Sequence, residues 1–405
     1  MKNNCFKYNT TSPSLKNTIN FGKFPYINSA ISLSQKKKIL SRFRVNDLYG
    51  TLKIRYHKRY NHLKVETHIN KKLLNFFYSK FYNYPSFIKT KELPKREKIF
   101  LKFFRSFLKK KKYVNINKEV LEIGCYDGIL LKELKKINFN VEGCEPSDGA
   151  KIAKRNGIKI IKDFFKPNNY HKKFDIVIAR HVLEHLEKPY FFLKDITKVL
   201  KNDGYVIIEV PNASFYLKNG LLEVFSLQHL QYFTPESMKK LFESLNLEVC
   251  KYHQTPENLI FFDKRKNKII KKYYKPTIDI TNFLNKIQKN KKSILKVINR
   301  FENKNILFWG AGGFFIAAIN LYNIKPGISK YIVDSDINKK NKFFLGTNLK
   351  IITPDKIKKF QVDLIIITSY YSNEIIDIIS KNKINCSVLK IFPNISLINL
   401  KNIKT

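Results

Sequence analysis

The stretch VLEIGCYDGILLKEL, Val120 to Leu134, decides how this chain is read. An apolar run carries a carboxylate, Glu122, near its end. Two glycines four apart, Gly124 and Gly128, follow, and then apolar residues recur at helical spacing. The order is strand, tight turn, helix, the arrangement by which an open α/β sheet offers a ligand the N-terminus of a helix. A dinucleotide turn needs three glycines, but Tyr126 and Asp127 occupy this one.

Working outward, the segments EVLEI, FNVEGCE, IKII, FDIVIA and GYVIIEV alternate with helical patterns. That alternation predicts a parallel sheet with helices on both faces. LEVCKYH and NLIFFD lie close enough in sequence to form a terminal antiparallel pair. Ligands of such sheets bind at the carboxyl ends of the strands, where strand order reverses. Glu145 ends the second strand, 21 residues after Gly124, and a carboxylate there can accept hydrogen bonds from both hydroxyls of a ribose. Asp163 closes the third strand in IIKDFF, where its side chain or the neighbouring amides can meet an adenine edge.

The expected architecture is two doubly wound α/β units. Residues 1–115 form a small N-terminal region that ends in a Lys-rich amphipathic helix, with Ile99, Phe100, Phe103, Phe104 and Phe107 on one face. Residues 116–265 form the first unit, 266–303 a basic helical connector, and 304–400 a second Rossmann-like unit. The second begins NILFWGAGG, with Gly310, Gly312 and Gly313, and has Asp334 at the end of its next strand. Phe315 stands where a third glycine would complete a dinucleotide turn.

Apolar residues make up 43% of the 405 and aromatics 14%, which is globular composition. The net charge of +45 would suit a nucleic-acid partner. However, Lys outnumbers Arg by 67 to 10, whereas bidentate reading of phosphates and bases favours Arg. Solvated Lys faces explain the charge, and no nucleic-acid partner is expected. The five cysteines, at 5, 125, 144, 250 and 386, form no CxxC pair, so a reducing cytoplasm is expected. The longest apolar run, ILFWGAGGFFIAAI (306–319), is too short for a membrane span.

In HVLEHL, His181 and His185 are four apart, a spacing that could hold a metal if the segment were helical. The HExxH pattern is absent, because Glu184 directly precedes the second histidine. FSLQHLQYFTPESM (225–238) carries His229 and Tyr232 after the fifth strand, where substrate would enter. It continues into a helix start, with Thr234 as N-cap and Pro235 at the first position.

The succession EIGCYDG, GCEPS, IKDFF, FDIVIARHVLEHL, LKNDGYVIIEVPN and HLQYFTPESMKKLFESLNLEV resembles the class I S-adenosylmethionine-dependent methyltransferases over about 118–263. The resemblance implies S-adenosyl-L-methionine as cofactor. Glu122, Gly124 and Gly128 would frame its methionine end and Glu145 its ribose, with Asp163 and Phe164 near the adenine. Arg180 and His181 would lie beside the methyl group. Tyr126 replaces the middle glycine of the family's turn, so its side chain must point away or cover the cofactor.

The whole layout also resembles the sugar C-methyltransferases that act on nucleotide-linked keto-deoxysugars. FYNYPSF (81–87), HLQYF (229–233) and the C-terminal WGAGG, VDSD and ITSYYSNEI carry that likeness. It implies His229 as the base, with Tyr84 or Tyr232 supporting an enolate oxygen, and a small-molecule partner, a nucleotide sugar. The family's N-terminal zinc cysteines are missing: Tyr8 stands where a second Cys would follow Cys5, and YHKRY (56–60) where the other pair would fall. No metal is therefore expected. Gln228 replaces the family's Glu before His229, which keeps O- or N-methylation of another metabolite open as an alternative, as well as a non-catalytic binding role.

Overall fold

The computed structural model describes residues 6, 18–82, 93–110, 117–222, 224–255, 258–266, 275, 277–344, 347, 349–392 and 394–400. Three sheets organise it. The central one has seven strands, in spatial order Leu247–Gln254, Asn258–Arg265, Leu200–Pro211, Phe174–Arg180, Glu119–Ile123, Asn140–Cys144 and Lys159–Ile161. The last five of these pair in parallel, and the hairpin 247–265 is antiparallel, as its short connection requires. The first and fourth strands in sequence lie side by side, so the order reverses where the Gly124 turn emerges.

The strands buried on both faces read as apolar runs because helices cover each side. Phe100, Phe104 and Phe107 from the helix Lys95–Lys110 pack on one face with Ile176, Ile178 and Ile207. The helices Pro189–Val199 and Pro235–Glu243 pack on the other, through Leu193, Ile196, Met238 and Leu241. Thr234 caps the second of these in a capping box with Ser237 and has Pro235 behind it, as the sequence predicts.

A second sheet, of eight strands, belongs mainly to the C-terminal unit. Its order is Ser396–Asn399, Ser387–Lys390, Leu364–Ile367, Ile306–Trp309, Ser329–Val333, Lys350–Ile352, Phe343–Phe344 and Ala30–Ile31. The apolar run 306–319 resolves into a buried strand, a turn and the buried helix Gly313–Leu321. The final strand, Ala30–Ile31, comes from the N-terminal region and pairs with Phe343–Phe344.

The third sheet is antiparallel: Thr18–Pro25, Tyr49–His57, His62–Val65 and Gln231–Tyr232. Its fourth strand is the segment just after His229, with Gln231 opposite Lys64 and Tyr232 opposite Leu63. One continuous apolar cluster joins this sheet (Phe24, Leu52) to Phe225, to the long helix Ile280–Asn299 (Phe283, Ile294) and to the C-terminal unit (Phe308, Phe315). The connector is thus a packed helix, capped by Asp279 on Asn282 N–H.

Phe283 is 1% exposed and packs, its ring tilted at 5.3 Å, on Phe225 in the loop that leads to His229. Phe283→Ala should cost about 3–5 kcal/mol of unfolding free energy. Urea unfolding checks this, and a loss below about 1 kcal/mol would show that the helix does not anchor the loop.

Candidate active site

The Gly124 turn is shaped by sterics. Gly124 has φ of 75°, and a Cβ there would stand 2.6 Å from Val182. Gly128, at φ 74°, would press a Cβ to 3.0 Å from that of Ala153 as it opens the helix Ile129–Lys135. Neither position tolerates a side chain, and together they leave backbone facing the strand ends. Tyr126 also lies in the left-handed region, at φ 46°. Its ring packs against Gly149, where a Cβ would come within 2.6 Å of it, and meets the Tyr82 ring edge-on at 6.0 Å.

Glu145 accepts from Tyr126 N–H (2.9 Å) and Ser147 N–H (2.8 Å), which fixes its buried carboxylate beside the turn. Its remaining lone pairs are available for hydroxyl donors. Asp163 accepts from Phe164 N–H (2.7 Å) and Lys166 Nζ (2.6 Å), and the lysine holds its carboxyl below the usual carboxylate range. Phe164 beside it is 41% exposed, an aromatic face at the strand ends. The cradle has the shape and donor set for a nucleoside-containing cofactor: backbone where a Cβ would clash, a fixed carboxylate and an exposed ring.

Beneath the turn lies a buried chain of charges. Arg180 donates through Nε to Glu209 (2.6 Å), lies 3.6 Å from Glu97 and stacks on Phe100. Its guanidinium is thus committed to the helix Lys95–Lys110 and to the fifth strand. Burial tends to raise Glu209, but Arg180 and His181 overcome it and hold this carboxyl well below its ordinary value. Glu122 is the reverse case: burial dominates the pull of Arg180 and lifts its carboxyl to about 8. One Glu122 oxygen has no hydrogen-bond partner among the described residues.

The segment around the two histidines is not helical. His181 has φ of 52°, and Leu183–His185 form a single 3₁₀ turn, so the i, i+4 register does not arise. His181 lies between Glu184 (Nδ1, 3.2 Å) and Glu209 (Nε2, 3.6 Å). Burial disfavours its charged form, yet these two carboxylates raise its pKa above the ordinary value. Glu184, 1% exposed, is held at about 2 because His181 outweighs the cost of burial.

His229 has the opposite character. Its Nδ1 donates to Val224 O at 2.9 Å, which fixes the tautomer and leaves the Nε2 lone pair free. Burial, aided by the adjacent His185, lowers its pKa to about 4, so the ring is neutral near pH 7. His185 lies edge-on to His229 at 4.9 Å, and its Nδ1 is shared between Gln228 O (2.8 Å) and the Tyr78 hydroxyl (3.1 Å). Glu184, His185 and His229 bring possible ligand atoms within 4.8 Å of one another.

Of the phenols named from sequence, Tyr84 lies outside the described residues. Tyr232 is buried, and its hydroxyl bridges the carbonyl and N–H of Ser226. Tyr78 is the phenol found beside the histidines, in the helix Lys71–Lys80, and burial pushes its pKa far up. The stretch FFYSKFYNYPSF reads as a core aromatic cluster, and no local pattern separates Tyr78 from its neighbours.

Residues 94–252 match the family model described as a methyltransferase domain, and 273–384 the one described as a C-methyltransferase C-terminal domain. The chain thus carries a methyltransferase domain followed by a C-methyltransferase C-terminal domain. This methyltransferase is 29% identical over 126 residues to the ubiquinone biosynthesis O-methyltransferase of Pelagibacter ubique, covering 29% of the chain and 52% of the relative. It is 30% identical over 132 residues to the enzyme of that name from Actinobacillus pleuropneumoniae, covering 29% and 56%. The chain therefore spans about half the length of the curated relatives it matches. Among solved structures, magnesium protoporphyrin IX methyltransferase from Synechocystis is 15% identical, over 42% of this chain and 83% of the other, with a TM-score of 0.34. Among the described residues, no helix is long and apolar enough to cross a membrane.

The two active-site imidazoles should titrate apart. Ring ¹⁵N NMR of the methyltransferase should show His181 protonating above 6.5 and His229 staying neutral down to about 4. For His229 the folded pKa lies below the unfolded one. It imposes no penalty above pH 6.5, and destabilises the fold increasingly as pH falls toward about 4. Coincident titration of the two rings near 6.5 would contradict the carboxylate pairing.

Proposed function

We propose that this methyltransferase alkylates carbon beside the ketone of a small, nucleotide-linked keto-deoxysugar, with His229 as the base. The observation that carries this reading is the His229 ring itself: neutral, with Nδ1 tied to Val224 O and Nε2 unencumbered. The match of residues 273–384 to a C-methyltransferase C-terminal domain supports transfer to carbon.

When bound, the cofactor supplies an electrophilic methyl group on a sulfonium. Carbon methylation needs a proton removed next to a carbonyl and a donor to steady the resulting oxyanion. His229 Nε2 takes the proton. His181, which its flanking carboxylates incline to the imidazolium form, lends its charge to the oxyanion; Tyr78, hydrogen-bonded to His185, is the described phenol that shares that load, and Tyr84 is the one the family resemblance proposes. Glu145 takes the ribose hydroxyls, Gly124 and Gly128 frame the methionine end with Glu122, and Asp163 and Phe164 meet the adenine. Arg180 acts from below, by fixing Glu209 under His181.

A second reading, O-methylation of a hydroxyl acceptor, is favoured by the names of the curated relatives and by Gln228, which removes a carboxylate next to the base. Both readings need His229 but differ in acceptor. Radiolabelled S-adenosylmethionine offered to nucleotide-linked 4-keto-6-deoxyhexoses and to hydroxylated analogues separates them by the atom that takes the label.

His229→Ala should lower kcat by about 10²–10⁴-fold with cofactor affinity unchanged. Full turnover in the variant would remove His229 from the chemistry. The acid limb of kcat/KM should fall near pH 4, following His229, rather than at the ordinary histidine value. Chelation with EDTA should leave turnover intact. Loss of activity that zinc restores would instead make Glu184, His185 and His229 metal ligands.

A further inference from the structure

The two α/β units repeat one hydrogen-bonded turn. In the first, Gly124 N–H donates to Cys144 O (2.8 Å) and Glu145 N–H to Ile161 O (3.0 Å). Tyr126 N–H and Ser147 N–H meet the two oxygens of Glu145 at 2.9 and 2.8 Å. In the second, Gly310 N–H donates to Val333 O (2.8 Å) and Asp334 N–H to Ile352 O (3.0 Å). Ala311 N–H and Asp336 N–H meet the two oxygens of Asp334 at 2.8 and 2.9 Å. Each turn also lies where strand order reverses: Ile306–Trp309 is flanked by Ser329–Val333 and Leu364–Ile367, as Glu119–Ile123 is by Asn140–Cys144 and Phe174–Arg180. Methyl transfer uses the first reversal point and leaves the second without a role.

The second is hollow. A cavity of about 630 Å³ opens on it, within the range of small-molecule sites. Gly310, at φ 115°, can carry no side chain, since a Cβ would stand 2.5 Å from Thr368 O. Gly312 has nothing within 4 Å of where its Cβ would be, so the backbone that starts the helix Gly313–Leu321 borders open space. Asp334 is buried and retains lone pairs after its two amides. The Tyr370 hydroxyl, on the cavity wall, is buried with no partner among the described residues, and Tyr371 at the rim is 69% exposed.

The differences between the turns set the ligand class. Phe308 stands two residues before Gly310, where the first unit has Glu122 before Gly124, so the carboxylate beside a cationic amino-acid tail has no counterpart. Lys339 Nζ lies 3.0 Å from Asp334, and with the helix start it favours an anion. Phe315, fully buried against Phe308 and Phe344, stands where a dinucleotide turn has its third glycine for close helix–strand packing, so the full dinucleotide pattern is not met, whereas the backbone at Gly312 stays open to a phosphate. We propose that the C-terminal unit is a second, independent site for a nucleoside 5′-phosphate or diphosphate. Asp334 takes the ribose hydroxyls, Tyr370 and Tyr371 flank the base, and the phosphate lies toward Gly312 and Lys339. The site stands whatever acceptor is methylated.

The test is equilibrium binding of ADP, GDP and UDP to the full chain saturated with S-adenosylhomocysteine. At least one should bind with one-to-one stoichiometry and more tightly than its own nucleoside. Gly312→Leu, which fills the cavity, and Lys339→Ala should each weaken it by about tenfold or more while S-adenosylhomocysteine binding stays unchanged. That unchanged binding shows that both variants fold. No binding of any of the three at millimolar concentration would overturn the proposal. So would displacement by S-adenosylhomocysteine, or undiminished affinity in Gly312→Leu, which would put the nucleotide elsewhere.

Discussion

The short backbone ladder between His62–Val65 and Gln231–Tyr232 is the constraint on which the active site depends. It is only two residue pairs long, with Val65 N–H to Leu230 O added at 2.9 Å. Yet it converts the loop after the fifth strand into the edge of another sheet. Leu230 N–H then reaches Glu184 O at 2.7 Å, and Gln231 spans from His62 to the carbonyls of Leu186 and Glu187. His229 has little freedom left: its ring is aimed by Val224 O and its N–H by Ser226. A base on an untethered loop would lose the positioning that makes proton transfer efficient.

The electrostatics complement this rigidity. Glu97, Arg180, Glu209, His181 and Glu184 run as alternating charges under the strand ends, each buried or nearly so. Buried charges persist only when paired, and removing one member strands its neighbour. The alternation keeps His181 inclined to protonate, while His229, set against a second imidazole, stays neutral. Two histidines of one site thus receive opposite proton affinities from their surroundings, the separation that acid–base chemistry requires.

The N-terminal region is structurally shared between the units. Its sheet receives a strand from the methyltransferase domain, and its Ala30–Ile31 extends the C-terminal sheet. The apolar cluster that includes Phe225 and Phe283 carries this continuity through the connector helix. Tyr78 reaches His185 from the same region, so the part of the chain least regular in sequence closes the site.

By itself the sequence determined what local chemistry dictates. Apolar runs of strand length, the glycines at 124, 128 and 310, the carboxylates Glu145 and Asp334 and the Thr234–Pro235 helix start all act within a few residues of where they stand. The parallel strands of the two sheets and their turns follow from them. Tertiary structure decided the rest, because it rests on partners far apart in sequence. The 3₁₀ turn at His185, which ends the i, i+4 spacing with His181, is imposed by contacts with Gln228 and Leu230. The engagement of Arg180 by Glu97 and Glu209 and of Tyr78 by His185 leaves no local periodicity to read. Proton affinities likewise come from burial and from charges brought together by the fold, and a linear pattern holds neither.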